Sequence, residues 1–338
     1  MVGCLPADIR QKRGSSPGWL ECGSYGCIVL RPLLLYLLPS GPVPARAGCR
    51  GPHREQKQKM SDTERDKLLK AQGINVIRIK VEDIENFKEN IRILGRHGVK
   101  VICYNFMPVI DWIRTDLYHP WPDGSSSLFF DYARFAYFDT KILAREGAEA
   151  DYSAEILEKV EALDKVITEA EKDDLIDSII VKTQGFVNGN IKEGDLNPVA
   201  IFKGLLKQYE GITRDQLREN MRYFLAAVMP VCEEYGVNMC VHPDDPPFQV
   251  LGLPRIVTCE EDIDWFLNAV DNPHNGLTFC AGSLSAGAHN DVVKMAEKFA
   301  DRTHFVHLRS CNILPDGNFI EASHLEGRGH LVDLIRIF

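Results

Sequence analysis

Three side chains that bind transition metals well stand at the ends of three predicted strands. They are His242 in "MCVHPDDPP", Cys280 in "LTFCAGS" and His307 in "HFVHLRS". Two neutral imidazoles and a thiolate supply three donors to a divalent cation, and a carboxylate, water or substrate can complete the site. A single His or Cys is more often structural, so the prediction depends on the recurrence of this placement in three segments. The sequence therefore predicts a catalytic metal site with an open position.

Other polar residues lie at the same strand ends. Tyr104 and Asn105 follow the buried strand in "VICYNFMP". Arg309 lies two residues beyond the last histidine and so shares its face in an extended strand, where it can bind a substrate carboxylate or neutralise a local acid. Asp244 either contacts the substrate or, with its neighbour, holds the loop through a helix cap or an Asx turn.

Alternating strands and helices are predicted to position these residues. Strand patterns at 74–80, 99–106, 237–242, 276–282 and 303–310 alternate with helical patterns at 61–73, 82–98, 221–236, 259–272 and 291–301. Buried apolar strands that alternate with helices indicate a parallel sheet, either doubly wound or closed into a barrel. In both folds the functional groups lie at the carboxyl ends of the strands, which is where the candidate ligands stand.

A charged segment interrupts this alternation. Residues 154–180 carry apolar side chains at 156, 160, 163 and 167, which form one helical stripe. The pattern predicts a surface helix, with a coiled-coil contact as the alternative. We interpret the region from about residue 150 to 200 as a helical insertion.

Residues 1–59 differ from the rest of the chain. They are rich in Gly, Pro and Arg, hold nine Lys/Arg against three Asp/Glu, and are predicted to be a disordered leader, with Met60 as an alternative start. Their apolar run at 27–39 is too short and too interrupted to span a membrane. The "ARAG" after it resembles a secretory cleavage site, although the run starts late for a signal peptide.

Residues 60–338 are predicted to form the catalytic domain. The whole chain has a net charge of −9 although residues 1–59 are basic, so residues 60–338 are strongly acidic. An acidic surface is unsuited to nucleic acid, and a small molecule is the expected partner. The ten cysteines include no CxxC pair, which favours reduced thiols and a cytoplasmic protein. Neither a GxGxxG, a Walker, an HExxH nor a GxSxG motif occurs.

Four stretches together resemble the mannonate dehydratase family: "VICYNFMPVIDWIRTDL", "VHPDDPPFQVLGLPRIV", "FCAGSL" and "FVHLRS". The resemblance runs from about residue 74 to the C-terminus. It implies an α/β fold, a TIM (β/α)8 barrel that is incomplete at both ends of this chain, and a metal-dependent lyase. That enzyme dehydrates D-mannonate to 2-dehydro-3-deoxy-D-gluconate in glucuronate catabolism. The insertion resembles a cap that some members of the family carry over the barrel mouth.

The resemblance also implies roles for individual residues. His242, Cys280 and His307 become ligands of Mn²⁺ or Fe²⁺, although a Cys with two His by itself favours zinc. Substrate contacts are expected from Arg309, Asn105 and Asp244, and proton transfer from His324 and Tyr104. The fourth ligand of the family, an Asp in a "PDHG" segment, should follow "EASHLEG", and the sequence ends at Phe338 before such a segment.

Two other functions stay open at this point. One is a metal-dependent sugar isomerase on the same barrel, and the other is an inactive remnant that only binds metal. The oligomeric state is open as well, with a homo-oligomer as one option.

Overall fold

The computed structural model of the chain describes residues 81–183 and 197–338, together with the backbone of two short strands near the amino terminus. The predicted helix at 61–73, the predicted strand at 74–80 and the leader boundary at residue 59 lie outside the described residues. The two short strands fall within the segment that was predicted to be a leader.

The described strands form two sheets. In chain order they are β1 (Leu20–Glu21), β2 (Cys27–Leu30), β3 (Val101–Tyr104), β4 (Asp116–Pro120), β5 (Ser126–Phe130), β6 (Asn238–Val241), β7 (Asn275–Cys280), β8 (Thr303–His307), β9 (Ser310–Ile313) and β10 (Phe319–Ala322).

Ten α-helices accompany them in the described ranges. They are α1 (Val81–Arg96), α2 (Tyr132–Tyr137), α3 (Ala154–Asp164), α4 (Glu169–Ile176), α5 (Pro198–Lys207), α6 (Arg214–Tyr235), α7 (Glu260–Ala269), α8 (Ala281–Ser285), α9 (Val292–Phe299) and α10 (Leu331–Ile337). Short π-helical turns at Phe138–Ile142 and Asp177–Lys182 and 3-10 turns at Ala148–Asp151 and Ala300–Arg302 complete the helical structure.

The first sheet has the order β1-β2-β3-β6-β7-β8, and its strands from β2 to β8 are parallel. Helices α6, α7 and α9 each precede the next strand of this sheet, as a parallel crossover requires. The arrangement confirms the predicted α/β class, and the sheet with its outer helices forms part of a TIM barrel.

One hydrophobic core lies between this sheet and its helices. Phe224 on α6 is buried there against Phe87 on α1 and Tyr104 on β3. Helix α6 begins seven residues before the predicted start at 221, because Thr213 and Gln216 form a capping box that the apolar pattern did not reveal. The remaining predicted elements of the body match the observed ones to within a few residues at their ends.

The described residues of the predicted insertion pack into a second hydrophobic core. The single helix predicted for the insertion is wrong in detail: the structure has two helices, α3 and α4, because Thr168 caps a new helix with Glu171. The apolar stripe is nevertheless used, since Val160 is buried in this second core. That core also packs against the antiparallel sheet β4-β5-β10-β9, whose Phe130 and Phe319 rings stack with centroids 4.9 Å apart.

None of the helices in the described ranges is both long enough and apolar enough to cross a membrane.

Candidate metal centre

The register of the parallel sheet brings the three predicted ligands together. Cys280, the last residue of β7, is the direct neighbour of His307, the last residue of β8. On β6, Val241 pairs with Leu277, so His242 follows the strand on the level of Thr278, two residues before Cys280. Alternate side chains of a strand point to opposite faces, and Val241, Leu277 and their equivalents fill the outer core. The three ligands therefore share the inner face.

The donor atoms of His242, Cys280 and His307 all lie within 4.8 Å of one another. The Cys280 Sγ and the His307 Nδ1 are 3.3 Å apart, and the two imidazole centroids are 5.9 Å apart. Cys280 is fully buried, His242 is half-buried and His307 is exposed, so the cluster is open on the side of His307.

Charge stabilises the thiolate form of this cluster. Burial alone would raise the pKa of the Cys280 thiol, but Arg309 and His242 hold it well below its ordinary value. Burial would likewise lower the pKa of His242, but the Cys280 thiolate beside it raises it to about 9. The thiolate is the form of cysteine that binds a metal.

The orientation of His242 also suits a ligand. Its Nδ1 lies 2.8 Å from the carbonyl oxygen of Pro243. A carbonyl can only accept a hydrogen bond, so Nδ1 keeps its proton and Nε2 is the ring nitrogen left for a metal. With the raised pKa, Nε2 must release its own proton when a metal binds. This second bond of a metal-binding histidine is a usual feature of such sites. The donor set of the three residues therefore fits a divalent transition metal.

Two arginines and two carboxylates form a network next to the cluster. Arg114, which is 1% exposed, donates to both oxygens of Asp245 at 2.8 and 3.3 Å and to Glu321 at 2.9 Å. Arg309 donates to the same two carboxylates. Burial would raise the pKa of Asp245, but Arg114 and Arg309 hold it below its ordinary range, so Asp245 is an anion held between two guanidinium cations.

Ser283 connects this network with the Cys280 thiolate. The Ser283 Oγ lies 3.2 Å from the Cys280 Sγ, and Arg309 donates to that oxygen at 2.9 Å. The arginine side chain crosses over Gly282, where an added Cβ would lie 2.3 Å from the Arg309 Cγ. A glycine is therefore needed at 282 for Arg309 to reach Ser283.

The other predicted site residues differ in their positions. Arg309 lies beside the ligands, but both of its terminal nitrogens donate to protein groups. Asn105 donates to Asp111 at 2.7 Å. Asp244 is 1% exposed and accepts from Arg255 and from two backbone amides, which are the contacts of a loop anchor.

Neither of the two residues predicted to transfer protons belongs to the cluster of His242, Cys280 and His307. Tyr104 points to the outer face of the sheet, where it is 3% exposed and its hydroxyl has no hydrogen-bond partner among the described residues. Its position does not support a catalytic role. His324 is exposed in the loop after β10, three residues beyond Glu321 of the network. Catalysis by either residue stays a prediction.

Sequence reasoning did not assign a site role to four residues of the network: Arg114, Asp245, Ser283 and Glu321. A charged residue between apolar neighbours was the available signal for two of them, in "DWIRTDL" and "NFIEAS". Asp245 was considered only together with Asp244, either as a loop former or in a direct chemical role, and nothing local distinguishes Ser283 from Ser285 in "AGSLSAG".

Comparison with known proteins agrees with the predicted resemblance. The family model described as D-mannonate dehydratase (UxuA) matches residues 70–338. The chain is 44% identical over 254 residues to the mannonate dehydratase of Saccharophagus degradans, and the match covers 75% of this chain and 62% of the relative. It is 42% identical over 254 residues to the mannonate dehydratase of Chromohalobacter salexigens, again covering 75% of this chain and 63% of the relative.

A solved structure gives the same result. The crystal structure of mannonate dehydratase from Streptococcus suis serotype 2 is 32% identical, with a TM-score of 0.53, over 75% of this chain and 58% of that chain. The chain thus spans less than two thirds of the length of these relatives. Taken with the family match over most of its length, these similarities show that the chain belongs to the D-mannonate dehydratase family.

Proposed function

We propose that the chain forms the metal centre of a lyase that removes water from D-mannonate to give 2-dehydro-3-deoxy-D-gluconate in glucuronate catabolism. The convergence of His242, Cys280 and His307 within 4.8 Å, in a member of this family, is the observation that carries the proposal. The curated relatives are named for this activity.

In this proposal the three residues hold Mn²⁺ or Fe²⁺. A bound divalent ion acts as a Lewis acid toward substrate oxygens, which offsets the negative charge that develops when a proton leaves a carbon next to a carboxylate. The local charges stabilise the thiolate of Cys280, and the hydrogen bond at Nδ1 leaves the His242 Nε2 as the nitrogen that would bind the ion.

Charged and polar neighbours would bind and orient the sugar acid. Arg309 keeps 19% of its side chain exposed, so it is the network residue best placed to contribute positive charge toward a substrate carboxylate. Asn105, held by its amide nitrogen, offers its amide oxygen to a substrate hydroxyl. The proposal assigns proton transfer to His324, whose side chain is exposed in the loop after β10.

The same proposal includes a cytoplasmic location and a small sugar acid as partner. The acidic body of the chain, the reduced-thiol pattern and the catabolic substrate support it. A homo-oligomer is compatible with it.

Product analysis tests the proposal. The purified chain is saturated with Mn²⁺ and incubated with D-mannonate, and mass spectrometry follows the product. A dehydratase gives a product that lacks one water, whereas a sugar isomerase gives a product of unchanged mass. His242→Ala and Cys280→Ala should lose both bound metal and product, while Cys232→Ala, a change at an equally buried cysteine in α6, should keep both.

Three outcomes would overturn it. A product of unchanged mass would assign the isomerase reaction instead. No turnover by the metal-loaded wild type would assign a non-catalytic metal-binding protein. Wild-type metal content in His242→Ala would remove the ligand assignment.

A further inference from the structure

A fully buried serine lies directly behind the candidate thiolate ligand. Ser283 belongs to α8, the short helix that follows β7, and Cys280 is the N-cap residue of that helix. A separation of three residues, close to one helical turn, returns the serine side chain to the side of the cysteine. Its Oγ lies 3.2 Å from the Cys280 Sγ, at 0% exposure.

The surroundings of Ser283 decide where its single hydroxyl proton points. Arg309 donates to the Oγ at 2.9 Å and so occupies a lone pair of that oxygen. Two acceptors remain for the proton: the Cys280 Sγ and the Asp245 Oδ2, each 3.2 Å away. Asp245 already accepts three N–H groups from Arg114 and Arg309. The other polar neighbours of the Cys280 Sγ are the two imidazoles, whose nitrogens would bind the metal in the proposed centre, so the sulfur then has the greater demand for a donor.

We propose that Ser283 is a positioning residue for the thiolate ligand: its hydroxyl donates to the Cys280 Sγ, and Arg309 fixes the orientation of that hydroxyl. The proposal deepens the proposed function, because it requires that Cys280 binds metal. Hydrogen bonds to the ligands of a metal orient them and tune their donor strength. A bond donated to sulfur lowers the energy of the sulfur lone pairs, and it directs the remaining lone pairs toward the open side of the cluster.

Cobalt(II) alone is a suitable probe, because a thiolate bound to it gives a charge-transfer absorption band. Removing the hydroxyl raises the energy of the sulfur lone pairs, so the band of Ser283→Ala should move to longer wavelength than that of the wild type. The loss of a hydrogen bond to a metal ligand typically weakens metal binding about 10- to 100-fold, and we expect an affinity about 10-fold lower for Ser283→Ala.

Ser285→Ala is the matched control. Ser285 lies in the same helix, is 1% exposed, and donates to the carbonyl of Gly282 rather than to the cluster. Its variant should keep the wild-type band and affinity. Should Ser283→Ala fail to fold, Ser283→Gly serves in its place, because it also removes the hydroxyl without adding a metal-binding group and the band should move in the same direction.

The outcomes separate this inference from the proposed function. A wild-type band that Ser283→Ala leaves at the same wavelength would overturn the role of Ser283 and leave the metal centre intact. A band that shifts equally in Ser285→Ala would overturn it too, since the effect would then come from the packing of the helix. The absence of any band in the wild type would overturn the thiolate ligand and this inference together.

Discussion

Asp245 should be the residue on which the structure around the metal centre most depends. Asp245→Asn keeps the shape of the side chain but removes its charge. Arg114 and Arg309 then share Glu321 as their only carboxylate within the network. Arg114 is 1% exposed, so water cannot replace the lost partner.

The size of the effect follows from that burial. Removing one partner of a buried ion pair typically costs about 3–5 kcal/mol, because an uncompensated charge stays in the interior. In a folded unit of this size, each kcal/mol lowers the melting temperature by about 2–4 °C. Asp245→Asn should therefore lower the melting temperature by about 6–20 °C.

The pKa of Asp245 determines how the stability difference between wild type and Asp245→Asn depends on pH. Although burial raises it, the pKa of Asp245 is lowered overall by Arg114 and Arg309. A carboxyl group whose folded pKa is lowered contributes stability that is complete above its unfolded pKa and is lost as the pH falls through the folded pKa. The difference between wild type and variant should thus be constant from about pH 5 to 8 and shrink only in acid below about pH 4.

Thermal unfolding followed by circular dichroism at pH 7 and pH 5 measures this difference. Asp264→Asn is the control, because it makes the same chemical change in an ion pair with Lys298 at the surface and should barely change the melting temperature. The reasoning is refuted if Asp245→Asn melts as its control does, or if its deficit disappears between pH 5 and 8.

Two further substitutions test the placement of single side chains. Tyr104→Phe removes a buried hydroxyl that lacks a partner among the described residues, so the melting temperature should stay the same or rise. A lower melting temperature would contradict this. Loss of dehydratase activity in a stable variant would support the catalytic role predicted from the sequence. Gly282→Ala places a methyl group against the Arg309 Cγ and should cost about 1–3 kcal/mol in chemical denaturation. Gly204→Ala, in the open on helix α5, should instead add about 0.5–1 kcal/mol, and equal effects of the two changes would refute the close approach.

The elements of the parallel sheet were predictable because local forces fix them. Apolar periodicity located strands β3, β6, β7 and β8 and helices α1, α6, α7 and α9, but it did not predict the antiparallel sheet β4-β5-β10-β9. The predicted bounds also fail where side-chain caps act. Thr213 starts α6 early, and Thr168 divides the insertion into two helices. Both are capping boxes of Thr with Gln or Glu, which can be found in a sequence when they are sought.

The face of each strand was harder to predict. Strands of a parallel sheet are buried on both sides, so their sequences do not alternate between apolar and polar residues. In β3 nothing local shows that Cys103 faces the inner side and Tyr104 the helices, and the proton-transfer role predicted for Tyr104 depended on the opposite choice.

The sequence by itself determined the α/β class, the order of the strands and helices of the parallel sheet, and the three residues that end strands with metal-binding side chains. It also carried the resemblance to the family, because four stretches of the chain resemble that family's sequence. Only the tertiary structure decided which residues meet. Pairing of β7 with β8 sets Cys280 beside His307, and folding brings Arg114 to Glu321 across 207 positions of the chain. Such contacts depend on strand register and on the packing of distant segments, which no local pattern encodes.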